Sequence, residues 1–177
     1  MSRRDSYAVR ISGLEDGNHD FSFGLDQQFF ASLEQPEVER GNVNAEVILE
    51  KKPGLLSLHF SLTGEVEVVC DRCLEPFMTG INTTQTIFVK MGDTPGEIED
   101  DVIMIHTDDH EIDVRQLMYE FIILALPYKR IHPDDEHGAP VCDPEMLRKL
   151  DAHMGSQAEE EQNDPRWDAL KGIIENK

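Results

Sequence analysis

The sequence predicts an α+β domain: an antiparallel β-sheet with one face covered by an amphipathic helix, followed by short C-terminal helices. Three observations predict it. Residues 43–50 and 56–68 alternate apolar and polar side chains with the two-residue period of half-buried strands, and Lys52-Pro53-Gly54 stands between them as a turn. Val114, Leu117, Met118, Phe121, Ile122 and Ala125 recur at helical spacing, the stripe of a helix that packs on a sheet. Beyond residue 130 the chain turns polar and carries two Asp-Pro pairs of the kind that open helices.

Taken in order, Tyr7 to Ile11 reads as a short strand and Phe21 to Leu25 as a second apolar piece. Asp26 is placed to cap a helical turn holding Phe29, Phe30 and Leu33, which Pro36 ends. In the hairpin, Val43, Ala45, Val47 and Leu49 share one face of the first strand. Leu56, Leu58, Phe60, Leu62, Val66 and Val68 share one face of the second, with Cys70 in phase behind them. Cys73 falls beyond, in the turn. A further strand is expected over roughly 81–91, then a loop rich in Asp, Glu, Pro and Gly from Gly92 to Asp101, then a short strand from Val102 to Ile105. Asp113 is the expected cap of the long helix, with Gln116 at the capping-box position, and Leu126-Pro127 is its stop. Asp143-Pro144 opens a short helix with Met146, Leu147 and Leu150 on one face. Asp164-Pro165 opens another, carrying Trp167, Leu170 and Ile174.

This divides the 177 residues into a core domain, 1–130, that contains the Cys-x-x-Cys knuckle, and a polar acidic linker with a short helical tail, 131–177. The formal net charge is −20. A protein that wraps RNA draws its affinity largely from cations set against phosphates, and no long basic stripe is present here. Such a surface suits a basic protein partner better. The first residues lack the apolar stretch of a leader, and no run is long enough to span a membrane, so the chain is expected to be soluble and cytoplasmic. The acidic residues between Glu97 and Asp109 lack the ligand spacing of a calcium loop.

Two of the three cysteines form Cys70-Asp71-Arg72-Cys73. Two thiolates at this spacing can share one tetrahedral ion, because a tight turn brings both sulfurs to one side. Cys142, His132 and His137 are the plausible remaining ligands, and Cys70, Cys73, Cys142 and His137 form the preferred zinc set. No cofactor is expected, the cysteines reading as plain reduced thiols; zinc is the possible exception, and a redox dithiol, with Arg72 depressing a thiol pKa, is the further alternative. Catalysis has little support, since nucleophile elbow, phosphate-cradling glycine loop and His-Glu-x-x-His are all missing from the sequence.

The stretch Cys70-Asp71-Arg72-Cys73-Leu74-Glu75-Pro76-Phe77 resembles the central motif of the YceD family, the large ribosomal RNA subunit accumulation proteins of bacteria. The resemblance extends to the acidic loop ahead of Tyr119-Glu120-Phe121-Ile122-Ile123-Leu124-Ala125-Leu126-Pro127 and to Asp164-Pro165-Arg166-Trp167. It implies a non-enzymatic ribosome-biogenesis factor that supports accumulation of large-subunit rRNA, with that rRNA or a pre-ribosomal particle as partner and neither membrane nor small-molecule substrate. The alternative partner is a basic ribosomal protein, bound without RNA contact. Arg72, Glu75 and Phe77 at the motif, with Arg166 and Trp167 in the tail, are the expected contact residues. The chain departs from the pattern after Pro127, where relatives carry further paired cysteines and this sequence retains only Cys142.

Overall fold

The computed structural model describes residues 7–154, apart from 35, 94 and 100. A six-stranded sheet forms its body. β2 (Gly17–Leu25), β3 (Gly41–Lys52), β4 (Leu55–Val69) and β5 (Pro76–Gly92) run as an antiparallel meander. β6 (Gly96–Glu99) and β7 (Val102–His106) complete it, in the order β2-β3-β4-β5-β7-β6.

The alternation in the sequence sets the register. Val47 lies opposite Phe60, and Leu49 opposite Leu58, so both apolar sets fall on one face and all four are buried. Onto that face pack α1 (Gln27–Ala31) with Phe29 and Phe30, and α2 (Arg115–Ala125) with Met118, Phe121 and Ile122. The Phe121 ring meets Phe60 edge-on, with centroids 5.0 Å apart. The Tyr119 hydroxyl ties α2 to the segment entering β3, accepting from the backbone N–H groups of Glu37 (2.6 Å) and Val38 (3.3 Å).

The structure differs from the expected sheet in three places. The strand at Ala8–Arg10 (β1) leaves the main sheet and pairs with Glu111–Asp113 (β8) as a separate two-stranded ribbon. β5 starts at Pro76, because its pairing with β4 runs unbroken to Val69↔Pro76, directly at the knuckle. The acidic loop contains β6. The hairpin it makes with β7 tucks β7 against β5 in parallel, so the sheet is mostly but not wholly antiparallel.

Helix boundaries show smaller departures. Asp26 caps α1 as expected, its carboxylate accepting from the N–H groups of Gln28 and Phe29. Asp113 instead ends β8, and α2 is capped by Val114 without a side-chain bond. The Asp113 carboxylate still accepts from the Arg115 N–H at 2.9 Å. α3 (Pro144–Met154) opens with the Asp143 carboxylate accepting from the Glu145 N–H at 2.9 Å. The helix expected after Asp164, with Arg166 and Trp167, lies outside the described residues. No described helix is long and apolar enough to cross a membrane.

Candidate metal centre

β4 carries its buried phase one residue past its end, so Cys70 points into the protein with no solvent exposure. The chain then turns through Asp71, Arg72 and Cys73. Two backbone bonds close this knuckle: Leu74 N–H donates to the Cys70 carbonyl and Cys70 N–H to the Glu75 carbonyl, both at 2.9 Å. Leu74 adopts φ +62°, the left-handed conformation that suits glycine, and is the only described non-glycine residue with positive φ. Its apolar side chain is 66% exposed.

The chain leaving α2 is pinned to the same turn. Asp71 N–H donates to the Arg130 carbonyl (2.7 Å), and Arg130 N–H to the Asp71 carboxylate (2.8 Å), while the Arg130 guanidinium holds Glu37 at 2.6 Å. Ile131 and His132 are thereby laid over the knuckle, with the imidazole packed at a tilt of 36° against the Phe77 ring, centroids 4.6 Å apart. The next residues double back around Asp135. Its carboxylate accepts from His137 and Ala139 N–H, and its own N–H donates to the Ala139 carbonyl at 2.9 Å. Gly138 supplies the positive φ that this turn requires. His132 and Cys142 therefore meet at the base of the loop, and His137 is left exposed near its tip.

The result is a four-ligand group: Cys70, Cys73, His132 and Cys142, whose ligand atoms all lie within 4.8 Å of one another. Cys70 Sγ is 3.7 Å from Cys142 Sγ, and His132 Nδ1 is 3.4 Å from Cys73 Sγ and 3.5 Å from Cys142 Sγ. An ion bound tetrahedrally at about 2.3 Å to sulfur and about 2.0 Å to nitrogen would set such edges at roughly 3.8 and 3.5 Å. These three edges match a four-coordinate metal, and the group as a whole is compact enough to hold one. Of the expected ligands, the structure brings together Cys70, Cys73 and Cys142, and it seats His132 where His137 was preferred.

The electrostatics of the metal-free group point the same way. Burial by Phe77, Ile131, Met146 and Leu147 works against thiolates. At Cys70 the backbone N–H groups of Cys73, Arg72 and His132 outweigh that burial and bring the thiol down to about 6. At Cys142 burial dominates, and the neighbouring Cys70 and Cys73 add to it, so that thiol is pushed up to about 11. The Cys70 thiol is thus shifted toward its thiolate, and a bound cation would offset the crowded charge that disfavours ionisation of Cys142.

Among the other expected residues, Arg72 and Glu75 are exposed on the knuckle, and half-buried Phe77 forms a wall of the ligand group. The outer face of the sheet holds a Ser57–His59–Glu50 cluster. Ser57 Oγ (3.4 Å) and Glu50 Oε2 (3.9 Å) both approach the same ring nitrogen of His59, which is not the relay of a nucleophilic triad.

A family model described as large ribosomal RNA subunit accumulation protein YceD matches residues 58–173, well over half of the chain. The chain belongs to the YceD family. The match begins within β4 and takes in both halves of the ligand group. No curated protein and no solved structure matches the chain.

Proposed function

We propose that this YceD protein is a non-enzymatic ribosome-biogenesis factor that supports accumulation of large-subunit rRNA by binding an assembling particle, with a Cys70–Cys73–His132–Cys142 zinc centre as the brace of its binding end. The four-ligand group carries the structural half of this reading. Three thiolates and one imidazole suit zinc, and a set with no fifth protein donor among the described residues has the character of a structural site. When bound, the ion supplies a cross-link between the β4–β5 turn and the segment that follows α2. The chain's own residues do the rest: Asp71 and Arg130 align the two segments, Phe77 orients the His132 ring, and the apolar shell excludes water. Exposure on the braced turn supports Arg72 and Glu75 as the residues that meet the particle. The family's printed description supports the role in large-subunit RNA accumulation.

Zinc uptake has a defined proton cost. Below about 11 the Cys142 thiol is protonated, so binding at neutral pH is expected to release its proton, and affinity is expected to rise with pH. Below about 6 Cys70 must also be deprotonated, and the dependence steepens. An indicator dye in weakly buffered solution reads the release directly; zinc uptake with no proton released would contradict the assignment.

Sedimentation tests the particle reading. In lysates separated on sucrose gradients, the protein is expected to travel with large-subunit precursors and to leave them as salt is raised. Its confinement to the top of the gradient at every salt concentration would overturn the proposal.

A further inference from the structure

We infer that a trough beside the knuckle receives an extended, arginine- and lysine-rich protein segment. The inference rests on the reading that the protein binds an assembling particle, and it names the kind of component that is held. Two adjoining depressions, of about 480 and 500 Å³, share Glu37. The first is bounded by Glu39, Glu67, Val69, Pro76 and Arg130, the second by Glu120, Ile123 and Leu124 on the outer side of α2.

Its chemistry is mixed in a particular way. Val69 is 52% exposed and Leu124 74%, so apolar floor is open to water in both halves. Four carboxylates, Glu37, Glu39, Glu67 and Glu120, line it. Arg130 engages Glu37 at 2.6 Å, and Arg40 approaches Glu67 at 3.8 Å from an exposed position. Glu120 accepts from the neutral Gln116 amide, and Glu39 has no ion-pair partner among the described residues. The trough therefore keeps a negative surplus above an apolar floor.

Arginine and lysine match both properties at once, because their methylene stems lie on apolar surface while their heads reach carboxylates. A phosphate backbone would meet those carboxylates and be repelled. The overall charge of −20 steers the same partner toward the protein. The wall is also braced by the knuckle, since Asp71 holds the Arg130 backbone in place.

The test uses the full chain and a short fluorescein-labelled peptide alternating arginine with leucine, followed by anisotropy. Glu39→Gln/Glu120→Gln is expected to weaken binding roughly tenfold, and Val69→Ser roughly threefold. The control Asp20→Asn/Glu46→Gln removes equal charge at exposed sites on β2 and β3, and is expected to change binding less than about twofold. Equal losses in both double variants would mean diffuse attraction and would overturn the trough. So would an absence of peptide binding, or a single-stranded RNA oligonucleotide that displaces the peptide. Glu39, Val69, Asp20 and Glu46 are exposed and Glu120 is half-buried, and unchanged unfolding midpoints verify that the variants are folded. The assay contains no particle, so trough failure is read here, whereas failure of the particle reading is read in the gradient.

Discussion

Replacing His132 by alanine is expected to weaken zinc binding by at least about 100-fold, whereas His137→Ala is expected to leave it unchanged. His132 presents Nδ1 to Cys73 and Cys142 at 3.4 and 3.5 Å, and no other histidine belongs to the ligand group. Its loss would leave three sulfur ligands and an opening toward solvent. The His137 backbone is committed to the Asp135 turn and its ring is exposed, so its removal costs the centre nothing. Competition against a chromophoric chelator measures both affinities, and cobalt substitution reports the thiolate coordination by its absorption. Equal affinities for the two variants would refute the assignment of the fourth ligand.

The largest effect on stability is expected at Phe60. Its side chain is 2% exposed on the covered face of the central strand, and its ring meets Phe121 of α2 at an interplanar angle of 67°. Phe60→Ala removes that contact and leaves a cavity between sheet and helix, a loss of about 3–5 kcal/mol. Against a typical domain stability of about 5–15 kcal/mol, the urea midpoint should fall steeply. Leu124→Ala, on the solvent side of α2, is expected to change stability by less than about 0.5 kcal/mol. A Phe60 variant losing under about 1 kcal/mol would mean that α2 does not depend on this face of the sheet.

Where side-chain periodicity dictates structure, the sequence was readable. The β3–β4 hairpin follows its alternation, and its inward residues are the core. Asp26 caps as its type and place suggest, because a short carboxylate ahead of two amides has few better partners. The parallel β5–β7 pair was not readable, since β6 arises in a Gly- and acid-rich stretch whose pairing depends on tertiary context. Nor was the β1–β8 ribbon, which joins segments about a hundred residues apart, consistent with their sharing a long loop closure.

At the centre, the Cys-x-x-Cys spacing announced two ligands, and Cys142 stood out as the one cysteine left. The choice between His132 and His137 turned on the intervening loop. Its signal was present in Asp135 and Gly138, the residues that fold the chain back and bring 132, not 137, beside 142. Leu74 gave no such signal, because a leucine in left-handed geometry runs against its own preference and is imposed by closure of the knuckle.

The most direct test of the account is the ratio of large- to small-subunit rRNA in cells depleted of the protein and complemented with wild-type, His132→Ala or His137→Ala chains. The account predicts a fall in the ratio on depletion, restored by wild type and by His137→Ala but not by His132→Ala. An unchanged ratio on depletion, or full restoration by His132→Ala, would contradict it.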